Sequence, residues 1–298
     1  MTFFGHFCRA TLGMRAESCI HRTNANTEHL TMSQITIRTL AQLSANDPAA
    51  LQLMHVEEDH LLLWITRGQG VLTLDGQRRG FGTHNAIFVP AGHIWSIDLG
   101  RHSLGQVVRI PAGAAPALAE FPQMPQQLRI QDGLLQAELT GLLDDMSREQ
   151  QQSRPFFEDA LCAQAGLIAI WLKRQLALLP AAKKPSASVR LMTRFSALAA
   201  QEYDSGASMA DLAAKLGVTP THLTRVCKQS SGLTAAQILT QCLTVAARKK
   251  LQREQTSFKQ ISETLGFASP AYFTRFMQQH CKATPTEIRR KSKALQPV

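Results

Sequence analysis

The chain has 298 residues, with 32 Lys/Arg against 22 Asp/Glu and a formal net charge of +10. Such a length suggests two domains with ample core, and no apolar run approaches the roughly 18 residues of a membrane span. The six cysteines, Cys8, Cys19, Cys162, Cys227, Cys242 and Cys281, form no CxxC pair, which argues against zinc or redox chemistry and fits a reducing cytoplasm.

The charge is unevenly placed. Residues 1–188 hold 16 Lys/Arg and 16 Asp/Glu, whereas residues 189–298 hold 16 and 6. A basic half joined to a neutral half implies that only the former meets a polyanion.

In chain order, residues 1–31 carry Arg9, Arg15 and Arg22 but no apolar h-region, so no secretory signal is expected. This stretch reads as a disordered extension or a mis-assigned start, and residues 32–180 as the first domain. From about 35 to 110 the pattern is β. Leu61-Leu-Leu-Trp-Ile-Thr66, a Gly turn, and Val71-Leu-Thr-Leu74 make a hairpin, and Asp75-Gly76 marks another tight turn. Ala86-Ile-Phe-Val89 and Ile94-Trp-Ser-Ile97 continue it, as in a small antiparallel barrel or sandwich. Helical spacing follows in Leu134, Leu135, Leu139, Leu142, Leu143 and Met146, and again from Phe156 to Leu179. Such a helical pair either caps the barrel or forms a dimer face; the pattern fits both. Residues 181–188 read as a linker, residues 189–292 as an all-α domain and residues 293–298 as a tail.

The all-α region contains one unit twice. Asp211-Leu-Ala-Ala-Lys-Leu-Gly-Val-Thr-Pro-Thr-His-Leu-Thr-Arg225 and Ile261-Ser-Glu-Thr-Leu-Gly-Phe-Ala-Ser-Pro-Ala-Tyr-Phe-Thr-Arg275 share a short apolar helix, a Gly turn, Pro at a helix start and Arg five residues later. This is the layout of two helix-turn-helix motifs. Ser208 with Asp211 is a near capping box, and Thr219 and Ser269 are N-caps before Pro220 and Pro270. Leu223, Val226 and Cys227 share a buried face, as do Phe273, Phe276 and Met277. The outward residues, Thr221, His222, Thr224, Arg225 and Lys228, then Ala271, Thr274, Arg275 and Gln278, are the candidate DNA contacts. Arg225 suits a bidentate bond to guanine, worth roughly 1–3 kcal/mol of discrimination. Ala271 offers only an apolar contact, so weaker readout is expected from the second helix. One long helix, Thr234 to Gln252, would fix the separation of the pair, about one turn of duplex or roughly 34–36 Å. Arg248-Lys249-Lys250 and Arg289-Arg290-Lys291 read equally as phosphate contacts or solvated surface.

Residues from about 190 to 292 resemble the DNA-binding domain of the AraC/XylS family of bacterial transcription regulators. The resemblance rests on Leu216-Gly-Val-Thr-Pro-Thr-His-Leu-Thr-Arg225, Ser231-Gly232, and Leu265-Gly-Phe-Ala-Ser-Pro-Ala-Tyr-Phe-Thr-Arg275 through Thr284-Pro285. It implies base contacts from Thr221, Thr224 and Arg225, then from Ala271, Thr274 and Arg275. Met277 stands where Phe is common and Lys282 where Gly is common, so the turn after the second recognition helix is expected to be strained or different.

His60-Leu-Leu-Leu-Trp-Ile-Thr-Arg-Gly-Gln-Gly70 through Phe88-Val-Pro-Ala-Gly92 is similar to the cupin-type sensor domain often joined to such regulators. Metal-binding cupins place His three residues after the Gly of their Pro-x-Gly turn; here Trp95 stands there. His55 and His60 are five apart, and His84, His93 and His102 lack metal spacing. The barrel therefore reads as an organic-effector pocket with no metal, cofactor or catalytic residue. Trp64 and Trp95 are candidate walls, or ordinary core; Arg67 and Arg109 are candidate partners for an acidic effector, or solvated strand ends.

The resulting expectation is an α+β multidomain chain: a cupin-like antiparallel barrel with a helical pair, then an all-α domain with two helix-turn-helix motifs. Its expected role is that of a cytoplasmic, sequence-specific transcription regulator, an activator rather than a repressor and not an enzyme. Expected partners are double-stranded promoter DNA, a small organic effector, RNA polymerase and a second copy in a homodimer, with no membrane. Weaker readings are a nucleoid or adaptor protein without effector, a metal-dependent cupin enzyme fused to a DNA-binding domain, and a reactive-cysteine repair protein.

Overall fold

The computed structural model describes residues 34–46, 48–100, 102–114, 120–180 and 184–295. The reading of residues 1–31 falls outside these, as do Cys8, Cys19, residues 181–183 of the expected linker and residues 296–298.

Two antiparallel sheets make the first lobe. The five-stranded sheet runs β1 (Thr36–Thr39), β8 (Leu104–Ile110), β3 (His60–Arg67), β6 (Asn85–Val89), β9 (Gln126–Arg129). The four-stranded sheet runs β2 (His55–Val56), β7 (Ile94–Leu99), β4 (Gly70–Leu74), β5 (Gln77–Phe81). Leu61, Leu63, Ile65, Ile87 and Val107 from one sheet and Leu72, Leu74, Phe81, Trp95 and Ile97 from the other make the layer between them. Leu62, Trp64, Phe88, Val108 and Ile110 face the opposite way. Strand β3 is thus buried on both faces, and its sequence is continuously apolar where a half-exposed strand would alternate.

The outward face of the larger sheet is covered by α3 (Gly133–Gln152) and α4 (Phe157–Ala177), through Leu139, Leu143, Met146, Leu161, Ile168 and Leu172. Asp132 caps α3 by accepting from the amides of Leu134 (2.7 Å) and Leu135 (3.3 Å). The helical pair therefore packs on the sheet, one of the two arrangements its pattern allows. Residues 35–110 are not wholly β. Two short helices, α1 (Leu40–Asn46) and α2 (Pro48–Gln52), follow β1, because Leu40, Leu43 and Leu51 close one edge of the inter-sheet core.

The second lobe is all helix: α5 (Ala187–Glu202), α6 (Met209–Lys215), α7 (Pro220–Ser231), α8 (Ala235–Arg253), α9 (Phe258–Thr264), α10 (Pro270–Cys281) and α11 (Pro285–Leu295). Helix α5 begins two residues before the expected boundary because Ser186 caps it, accepting from the Val189 amide at 3.3 Å. Helix α8 serves two cores. Ile238 and Cys242 in its first half join α5, α6 and α7; Ala247 and Leu251 in its second half join α9, α10 and α11. The lobes also touch: Met54 and Ile94 pack with Leu191, Met192 and Phe195, and the Met54 amide donates to Gln241 Oε1 at 2.9 Å.

Candidate nucleic-acid interface

Each recognition helix is set by the same local chemistry. In the first unit Ser208 and Asp211 form a reciprocal capping box at 3.2 and 3.1 Å. Gly217 takes a left-handed φ of 72°, and the Val218 amide reaches back to the Ala213 carbonyl at 3.0 Å. Thr219 then caps α7, accepting from the His222 amide at 3.2 Å, with Pro220 in the first turn. The second unit repeats this with Ser257 and Gln260 as the box, Gly266 at φ 71°, Phe267 donating to Ser262 at 2.9 Å, and Ser269 capping α10. Gly266 carries a further constraint. A Cβ there would lie 2.2 Å from the carbonyl oxygen of Asp204 in the α5–α6 connection, so the turn of one unit abuts the entry to the other. Lys282 is left-handed at φ 53°, as its place in a position favouring Gly implies.

These caps leave one face of each helix free. On α7, Leu223, Val226 and Cys227 are buried while Thr221, His222, Arg225 and Lys228 are exposed and Thr224 is half-buried. On α10, Phe273 and Met277 are buried while Ala271, Arg275 and Gln278 are exposed and Thr274 is half-buried. Arg225 Nη2 lies 3.2 Å from His222 Nδ1, a contact that steadies the guanidinium and leaves most of its donors open. Thr274 donates to the Pro270 carbonyl at 2.9 Å, which leaves its oxygen to accept. Tyr272, 58% exposed, was not singled out by the sequence reasoning. The repeat contained the signal, since Tyr272 occupies the place of His222 two residues after the helix-opening proline.

The short basic runs divide their labour. Lys249 Nζ lies 3.7 Å from Glu58 and Lys250 Nζ lies 3.1 Å from Glu254. Arg289 donates to the Thr256 carbonyl at 2.8 Å and stacks 4.3 Å above the Phe258 ring. Lys250 and Arg289 thus hold the helical lobe together and Lys249 faces the sheet lobe, whereas Arg290 and Lys291 are exposed. Burial pushes the Cys227 and Cys242 thiols up to about 12, which makes them inert packing residues.

The four candidate effector residues do not converge. Trp64 packs under α3 and donates to Thr140 Oγ1 at 3.1 Å, whereas Trp95 lies in the inter-sheet layer and donates to Glu57 Oε2 at 3.1 Å. The two indoles are on opposite faces of the core, and both are buried. Arg67 is exposed at the end of β3. Arg109 is bound internally, 2.6 Å from Glu57 and 3.3 Å from Asp59. Burial alone would raise the Glu57 carboxyl, but Arg109, Lys249 and His55 around it outweigh that and hold it below its ordinary value. Among the described residues no three His, Cys, Asp or Glu side chains gather as a metal site.

A helix-turn-helix domain family matches residues 212–291. The "Probable transcription factor PqrA" of Proteus vulgaris is 31% identical over 86 residues, covering 29% of this chain and 70% of that protein. Among solved structures, ToxT of Vibrio cholerae O395 is 12% identical, with a TM-score of 0.41 over 89% of this chain and 99% of its own. An AraC-type DNA-binding domain regulator from Chromobacterium violaceum is 27% identical, with a TM-score of 0.33 over 38% of this chain and 100% of its own. With two capped helix-turn-helix units on one shared helix, and a curated transcription factor matched across most of its length, the chain belongs to the AraC family of DNA-binding transcription regulators.

Proposed function

We propose that this regulator is a cytoplasmic, sequence-specific activator that binds promoter DNA through α7 and α10. In this reading the sheet lobe senses a small organic effector, two copies act together, and RNA polymerase is the downstream partner. The observation that carries it is the equivalence of Arg225 and Arg275. Both follow a helix-opening proline by five residues, both are exposed, and neither has a carboxylate partner among the described residues. Two such side chains on helices held by α8 suit two successive major-groove contacts, with Thr221, His222, Thr224 and Lys228 beside the first and Ala271, Thr274 and Gln278 beside the second. An effector changes DNA affinity only through differential affinity for two states of the protein, and the direct contact between the lobes supports such a link.

The test is binding of the full-length protein to the DNA upstream of its own gene, against random DNA of equal length, at two salt concentrations. Preference that survives high salt supports base readout; equal and steeply salt-dependent binding to both refutes it for that site. Reporter transcription with and without the protein then fixes the sign of regulation.

A further inference from the structure

A cleft of about 460 Å³ opens at one end of the sheet lobe, where the β3–β4 turn, the end of β5 and strand β9 surround it. That volume lies in the range of small-molecule sites. Two kinds of glycine border it. Gly68 and Gly70 are demanded by the fold: Gly68 has φ 103°, and a Cβ on Gly70 would lie 2.2 Å from the Asp98 carbonyl. Gly80 and Gly82 are not. Neither has a positive φ, a Cβ on Gly82 would meet nothing within 4 Å, and one on Gly80 would meet only Gly70 O at 3.9 Å. Both lie in the lining, where their backbone satisfies no special need; Gly80 pairs with Val71 and so shares the face opposite Phe81.

The polar groups of the lining are only partly used. Gln127 donates to the Gly80 carbonyl at 2.9 Å and to Asn85 Oδ1 at 3.2 Å, and Asn85 in turn donates to the Gly82 carbonyl at 3.0 Å. This network fixes the wall and leaves Gln127 Oε1 to accept. The side chains of Gln69, Thr83 and Arg129 make no hydrogen bond or ion pair with the described residues. The lining therefore offers one cation, no carboxylate, several neutral donors and acceptors, and the Phe81 ring as apolar floor. We propose that this cleft binds a small hydroxylated organic acid, its carboxylate on Arg129, its hydroxyls on Gln69, Thr83 and Gln127, and its carbon chain against Phe81.

The inference rests on the reading of the sheet lobe as a sensor and gives that sensor a site and a ligand class. The site also has a route to the DNA-binding lobe. Gly70 and Phe81 pair at the cleft end of the β4–β5 hairpin, and Leu74 and Gln77 pair at the other. Four residues of strand, roughly 13 Å, separate them. At that far end Gly76 lies against Met192 of α5, close enough that a Cβ would come 1.9 Å from Met192 Cε.

The experiment is calorimetric titration of the full-length protein with D-gluconate, D-xylonate and D-galacturonate, and with acetate and D-glucose as single-feature controls. At least one sugar acid is expected to bind about tenfold more tightly than either control, because each control forfeits the charged or the hydroxyl contacts. Gly82→Val, which puts a branched side chain on a lining residue, and Arg129→Gln are each expected to weaken that binding by about tenfold or more at unchanged unfolding temperature. If no sugar acid binds, or if binding survives both substitutions, the site is refuted, and DNA recognition is untouched. Binding that is lost in both variants but leaves promoter affinity unchanged sustains the site and refutes the sensor reading.

Discussion

Glu58 of the sheet lobe lies 3.0 Å from Arg253 of helix α8, and its other carboxylate oxygen lies 3.7 Å from Lys249 one turn earlier. Its neighbours in the β2–β3 connection, Glu57 and Asp59, turn inward to Arg109. One three-residue acidic segment thus holds the core of one lobe and clasps a helix of the other. Glu58 is exposed, so its pairs contribute about 0–1 kcal/mol to stability. Glu58→Lys is expected to leave the unfolding temperature nearly unchanged while loosening the contact between lobes. Hydrogen exchange at β2 and at the middle of α8 should quicken; unchanged exchange there would show that the apolar contacts alone hold the lobes.

Arg109 is a different case, because Glu57 beneath it is buried. Arg109→Met removes the counter-charge and leaves a carboxylate in the core, at a cost of about 3–5 kcal/mol. Denaturant unfolding measures this. The double change Glu57→Gln with Arg109→Met should recover a large part of the loss.

Acid should act through His55. Burial, aided by Lys249 and Arg109 and opposed by Glu57 and the Leu53 carbonyl, lowers its pKa from the ordinary 6.5 to about 4. The folded protein keeps the ring neutral while the unfolded chain takes up a proton below pH 6.5. Stability is therefore complete above pH 6.5 and declines as pH falls towards 4, by about 3 kcal/mol in all. The lowered Glu57 carboxyl acts in the same direction at the acid end. His55→Gln should flatten the stability curve between pH 6.5 and 4; an equally steep curve would place the acid sensitivity elsewhere.

Gly217 and Gly266 occupy equivalent turns but should not tolerate change equally. At Gly217 a Cβ meets nothing within 4 Å, so Gly217→Ala costs only the left-handed backbone, about 1–2 kcal/mol. At Gly266 the same strain is joined by a backbone clash with Asp204. Gly266→Ala is expected to cost more and to disturb the pairing of the two units, which thermal unfolding and promoter affinity would both register.

On the DNA face, Arg225→Ala is expected to relax base preference by roughly 1–3 kcal/mol at unchanged stability. Tyr272→Ala should weaken promoter binding without affecting folding, since the ring is largely exposed. Competition against operators altered one base pair at a time separates loss of preference from uniform loss of affinity.

The helical lobe was legible because its determinants are local. Caps, turn glycines and helix-opening prolines each act within a few residues, and the repeat shows them twice. The sheet lobe was legible as strands and turns but not as a site. Trp64 and Trp95 look alike in sequence, yet strand register sends them to different layers. Arg109 stands at a strand end like any solvated arginine, and its partner Glu57 comes from a loop 52 residues away. Leu40 falls within the stretch whose pattern reads as β, although closing the edge of the core makes it the start of a helix. The cleft was invisible because its lining comes from segments far apart in the chain: the β3–β4 turn, the end of β5 with the connection that follows, and strand β9.

Helix α8 is a continuous rod embedded in both halves of the DNA-binding lobe, so the two reading heads have no joint between them. A binding site lengthened by one base pair between its two contacted grooves is rotated by roughly 35° and displaced along the axis. A flexible tether would absorb that change, but this protein would have to break one head's contacts or strain the duplex. Its binding sites should therefore vary more readily in sequence than in length.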